Sequence, residues 1–180
     1  SLDGTKIKAN ASRHRALSHG HIEQLEIQLK AEVESLLAQA EQADQSAVPD
    51  GMNLPEEIAR RQGRLEAMAA AKTKIEERAK ARFEKEQAEY EGKLMRREQK
   101  AKESGRKPGG KPPKPPEAGP KAQDQLNLTD EQSRIMPVAG GGFDQAYNAQ
   151  AAVDTGSMLV VGLGVTQACN DKEQVVPMLE

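Results

Sequence analysis

Tryptophan is missing from this chain, and two tyrosines and two phenylalanines are its only aromatic residues. A core so poor in rings buries little area per residue, which argues against one compact globule across all 180 positions. A single cysteine, Cys169, excludes a disulfide framework, suits a reducing compartment and reads as a small buried side chain near a strand end. No apolar run reaches the roughly 20 residues that span a bilayer. No charged segment leads into an apolar one at the start, as a secretory signal would. A cytoplasmic protein without a membrane partner is therefore expected. Charge surplus is lacking too: 26 Lys and Arg against 28 Asp and Glu leave a formal −2. No global field advertises nucleic acid, although averages conceal local basic segments. An initiator methionine is also absent, and Met178-Leu179-Glu180 stops inside a predicted helix, so both ends read as cuts.

The patterning that is present divides the chain into four. Residues 1–12 contain a short strand over 2–9, with Lys6 and Lys8 on one side and Ile7 and Ala9 on the other. Residues 18–103 switch to helical spacing. Ile22, Leu25, Leu29, Val33, Leu36 and Ala40 form one stripe. After a turn at 47–53, a second stripe runs through Ile58, Leu65, Met68, Ile75, Ala79, Phe83, Tyr90 and Leu94, with Lys72 as a polar break. Asn53 and Glu56 form a capping box there, with Pro55 in the first turn. The two stripes predict an antiparallel helical hairpin. Its second arm is far longer than the first, leaving a distal part to fray, kink at Gly92 or meet another molecule, including a second copy of the chain.

Residues 104–122 are a Pro/Gly/Lys-rich stretch expected to be a disordered basic linker. It carries Arg106, Lys107, Lys111, Lys114 and Lys121 against Glu117. It reads either as a solvated tether or as a strap on DNA phosphates. Residues 123–180 hold strands at 143–154 and 158–166, joined by Thr155-Gly156-Ser157, and then a short helix capped by Asn170 or Asp171. The last strand is nearly all apolar, as expected of one buried on both faces.

A strand cut off from its sheet-mates by a helical excursion matches the start of a ribonuclease H-like core. The segments Asp3-Gly4-Thr5-Lys6-Ile7-Lys8-Ala9-Asn10-Ala11-Ser12, Asn127-Leu128-Thr129-Asp130, Ser133-Arg134-Ile135-Met136, Tyr147-Asn148-Ala149-Gln150-Ala151-Ala152-Val153-Asp154 and Asn170-Asp171-Lys172 carry the closer likeness. Together they resemble the DDE transposases of bacterial insertion sequences. The resemblance implies an α+β fold: a partial ribonuclease H-like core of three strands plus a helix, interrupted by the long antiparallel hairpin and the linker. It implies metal-dependent cleavage and strand transfer of double-stranded DNA, at transposon ends and target. Two Mg²⁺ ions, or Mn²⁺ in their place, would sit about 4 Å apart between three carboxylates. Asp3 corresponds to the first, as catalytic residue and metal ligand. The second and third have no counterpart, so this fragment is expected to be inactive.

Other residues divide between a site role and a plain one. Asp171 and Glu173 are accessory-acid candidates, with helix capping as the alternative. Asp154 reads as a turn residue. Tyr147, Asn148 and Gln150 interrupt a strand with polarity and pack on the active edge or face solvent. Arg134 contacts a phosphate or pairs with Asp130. Lys6 and Lys8 approach the DNA backbone or stay solvated. His14, His19 and His21 lack companions for a metal site and read as solvated. The transposase reading predicts Asp3 on a strand beside 158–166. Two others compete with it: a helical coiled-coil scaffold or adaptor, and a non-specific DNA-binding module using 104–122.

Overall fold

The computed structural model describes residues 1–43, 53–106 and 109–178. It is a mixed α+β architecture in two compact units, one of residues 1–17 with 125–180 and one of 18–124. In chain order the elements are β1 (Leu2–Lys8), β2 (Ala16–Ser18), α1 (His19–Ala43), α2 (Leu54–Ser104), β3 (Gln125–Asn127), β4 (Arg134–Pro137), β5 (Phe143–Val153) and β6 (Val160–Thr166).

The helical unit follows from spacing. Ile22, Leu29 and Leu36 on α1 and Leu54, Met68 and Ile75 on α2 are buried at intervals of seven or fourteen, with Ala71 and Ala79 beside them. That repeat keeps one seam facing a partner helix. Polar pairs fix an antiparallel register: Arg61 Nε donates to Glu32 Oε2 at 2.9 Å, Lys72 lies 3.6 Å from Glu26, and His19 lies 4.0 Å from Glu76. Lys72, the break in the second stripe, thus points to carboxylates of α1. Asn53 Oδ1 accepts from Glu56 N at 3.4 Å while Asn53 Nδ2 donates to Glu56 Oε2 at 3.2 Å, the reciprocal pairing that starts α2. Gly105, at φ 64°, ends it in the left-handed conformation that glycine takes without a Cβ penalty. The expected turn at 47–53 lies outside the described residues except for Asn53.

Beyond residue 79, α2 has the chain's own basic segment beside it. Arg97 Nη2 donates to Gly110 O at 2.8 Å, and Arg82 Nη2 donates to Gly119 O at 3.2 Å. Arg82 Nη1 also reaches both carboxylate oxygens of Asp124 at 2.9 Å. Residues 109–122 therefore run back along α2 with no regular secondary structure, as proline-rich sequence without spare N–H donors does.

The other unit is a four-stranded antiparallel sheet centred on β5. β1 takes one whole edge of β5, from Leu2 opposite Ala152 to Lys8 opposite Ala146. β4 and β6 share the other edge, opposite 143–146 and 148–153. β2 and β3 form a separate two-stranded ribbon.

Several expectations are corrected. Among the described residues there are six strands rather than three, because 16–18, 125–127 and 134–137 are extended as well. β1 shares a layer with β6 but pairs with β5, whose length offers a complete edge on each side. β6 is not buried on both faces: Leu163 is 78% and Val165 69% exposed, while Gly162 and Gly164 turn inward against Met178. The final helix is only a 3₁₀ turn at Lys172–Gln174, since Val175-Val176-Pro177 is β-branched and then proline, a poor continuation.

Candidate functional site

Alternation along β5 builds the site. Its even-numbered residues Asp144, Ala146, Asn148 and Gln150 are buried, and cross-strand pairing adds Gly4 and Lys6 of β1 and Gly164 and Thr166 of β6 to the same face. Asn148 is 0% and Gln150 2% exposed. A buried amide is costly unless its hydrogen bonds are made. Here both find one oxygen: Asn148 Nδ2 and Gln150 Nε2 donate to Asp171 Oδ1 at 2.7 and 2.6 Å. Lys6 Nζ joins them at 3.4 Å, and Asn148 Nδ2 also reaches Ala168 O at 3.1 Å. The hydrogen bonds from Asn148 and Gln150, with the charge of Lys6, hold the Asp171 carboxyl below its ordinary value against the opposing effect of burial. The amide carbonyls Asn148 Oδ1 and Gln150 Oε1 are buried without a partner.

Gly4 makes this approach possible. A Cβ there would run into Gln150 Nε2 and Asp171 Oδ1. The sequence offered a signal that was read only as polarity: Asn148 and Gln150, two apart on a strand, must share a face. Their acceptor, 21 residues beyond Gln150, is not readable from spacing.

Asp171 is consequently not a helix cap. It stands at the start of the 3₁₀ turn but makes no side-chain capping bond, because its Oδ1 is committed to the sheet. The side chain of Glu173 lies outside the described residues. Asp3 sits on the opposite face. It is exposed, accepts from Gly4 N at 3.0 Å, and shares its face with Thr5, Ile7, Ala149, Ala151, Leu163 and Val165. The fold thus brings Asp171 to β1 without bringing it to Asp3.

Lys6 and Lys8 are both on the face away from Asp3. Lys6 is tied to Asp171, and Lys8 lies 3.4 Å from the buried Asp144. Arg134 organises a loop, its Nη1 donating to the carbonyls of Glu131, Gln132 and Ser133 and its Nη2 to Gln167 Oε1 at 2.7 Å. Asp130 instead accepts from Tyr147 Oη at 2.7 Å, which together with burial raises the tyrosine pKa. Asp154 is the turn residue expected, accepting from Ser157 N at 2.9 Å. Cys169 is exposed rather than buried. His14 and His21 are exposed, but His19 is buried between Glu23 and Glu76. Arg106, Lys111 and Lys114 are exposed, and Lys107 lies outside the described residues.

A divalent ion takes about six oxygen ligands, several of them carboxylates. Among the described residues no three His, Cys, Asp or Glu side chains form such a group. Asp3 by itself does not make the two-ion centre that the resemblance implies. Among the described residues, too, no helix is long and apolar enough to cross a membrane. No family model, curated protein or solved structure matches this chain.

Proposed function

We propose that the chain is part of a DDE-type DNA transposase, with a ribonuclease H-like core, acting on double-stranded DNA in the cytoplasm. The observation that carries this reading is the position of β1. Although residues 9–142 intervene, β1 zips along β5 over seven residues, and β1, β5 and β6 become consecutive antiparallel neighbours with Asp3 exposed. Such a long-range pairing is entropically expensive, though the cost grows only slowly with loop length. It is easier to understand as a core strand with an insertion behind it than as a decoration of a helical scaffold.

In this reading Asp3 is the first carboxylate of the Mg²⁺ or Mn²⁺ centre, and the remaining acids belong to a longer polypeptide. The buried network around Asp171 has a supporting role: it fixes β1 against β5 and so fixes the backbone that presents Asp3. The test is cleavage of duplex DNA carrying the element's ends by the longer polypeptide in Mg²⁺. Asp3→Asn should reduce nicking to background while leaving circular dichroism unchanged. Cleavage that survives this substitution would sink the reading.

A further inference from the structure

We propose that the free edge of β6 pairs with β6 of a second copy of this chain, antiparallel and centred on Leu163. Among the described residues the sheet has three outer strands, and two of them are guarded against such pairing. β1 carries Asp3, Lys6 and Lys8, while β4 is four residues long, carries Arg134 and ends at Pro137. Charge, brevity and proline are the usual devices that keep a sheet edge from pairing with another chain. β6 has none of them. It runs for seven residues, and no residue from Thr155 to Asn170 is charged or proline. Val161 is 69% exposed and joins Leu163 and Val165 in one open apolar row.

Alternation fixes which way the backbone of β6 points. Val153 N donates to Ser1 O at 2.7 Å and Ser1 N donates to Val153 O at 2.6 Å, while Gln145 O accepts from Ala9 N at 2.8 Å. Odd-numbered residues of β5 therefore turn their N–H and C=O groups to the β1 side, and even-numbered ones to the other. Asn148, Gln150 and Ala152 lie opposite Thr166, Gly164 and Gly162, so those three bond to β5. The N–H and C=O of Val161, Leu163 and Val165 are thus directed to the outer edge, where no strand among the described residues meets them. The occupant follows from the sequence: Val161-Gly162-Leu163-Gly164-Val165 reads the same in both directions. Between antiparallel copies Leu163 meets Leu163, Val161 meets Val165 and glycine meets glycine, the self-complementary match that a two-fold axis requires. Three hydrogen-bonded pairs then form, roughly six backbone bonds, with the valines and leucines as cross-strand neighbours on one face. No charge opposes the approach. Seven residues per copy fall short of the ~20–30 of a standard interface, so the dimer is reversible. The second copy is assigned to the sheet and not to the far arm of α2, where the helical pattern left room for one. This inference goes beyond the catalytic reading and does not depend on it.

The test is sedimentation of the 180-residue chain across a concentration series, with amide hydrogen exchange measured at both ends of it. The wild type should pass from monomer to dimer and stop there, since each copy offers one such edge. The amides of Val161, Leu163 and Val165 should exchange fast in the monomer and slow in proportion to the dimer formed. Those of Gly162 and Gly164, bonded to β5, should be protected at every concentration. Leu163→Lys sets like charges opposite each other and should weaken association roughly tenfold or more, as should Leu163→Glu. Mixing the two variants should restore the dimer, because residue 163 meets its own counterpart. Leu163 is open to solvent, so both should keep the wild-type circular dichroism; if either does not, exchange in the wild type decides. A chain that stays monomeric, a dimer indifferent to Leu163→Lys, a mixture that fails to associate, or growth beyond the dimer would each overturn the proposal. So would a dimer that leaves the amides of Val161, Leu163 and Val165 fast, since the helical hairpin or the open sheet face would then carry it.

Discussion

The helical unit and the sheet unit bury different chemistry. The first closes Ile22, Met68, Ile75 and small alanines between two helices and keeps most of its charge outside. The second encloses Asn127, Ser133, Gln145, Asn148 and Gln150, so its order depends on each polar group meeting a particular partner. Hydrophobic contacts are non-directional and tolerate repacking. A buried amide has directional needs. The contrast predicts how each unit fails.

The largest effect should come from the helical seam. Met68→Ala removes a fully buried side chain and should cost about 2–5 kcal/mol, seen as an earlier loss of helical ellipticity on heating. Next is Gly4→Ala, which changes one methyl group at the sheet. Its Cβ would collide with Gln150 and Asp171, and overpacking of this kind costs about 1–3 kcal/mol. Hydrogen exchange should quicken in β1 and β5 while the helices keep their protection. Equal acceleration in both units would erase the distinction drawn here.

Acid should give a smaller and more selective effect. The Asp171 carboxyl is held below its ordinary value of 3.8, so its stabilising contribution is complete above that pH and drains away as pH falls through the lower folded value. The side-chain amide resonances of Asn148 and Gln150 should shift over that acid range. Glu32 and Glu57 are lowered as well, through hydrogen bonds from Arg61, so the helices also respond. Asp171→Asn sharpens the comparison, because it should abolish the amide response and leave that of the helices. The smallest effect is expected at Glu89→Gln, which breaks an exposed pair with Lys93 on α2 worth no more than about 0.5 kcal/mol.

Legibility followed the same division. The Ile22–Leu29–Leu36 stripe and the Asn53–Glu56 cap announce α1 and α2, since helical contacts are local and repeat along the chain. The strands were half legible. Lys6 and Lys8 alternate with Ile7 and Ala9 clearly enough, but alternation says nothing about which strand lies beside β1. The apolar run at 158–166 invited burial on both faces. Gly162 and Gly164 face inward instead, and the bulky residues between them remain open. Asp171 suggested a helix cap because capping is a local habit. The residues that took its oxygen instead, Asn148 and Gln150, lie across the fold.

By itself, the sequence determined where the two long helices run, the turn at Thr155-Gly156-Ser157, and that an acid follows Leu2 on a short strand. Those features depend on neighbours within a few residues, where backbone geometry dictates what meets what. Tertiary structure decided the rest: the partner of β1, the face that Asp3 occupies, the oxygen shared by two buried amides, and the alignment of strap with helix. Each joins residues distant along the chain, and such pairings are chosen by the competition of whole surfaces for burial and hydrogen bonds.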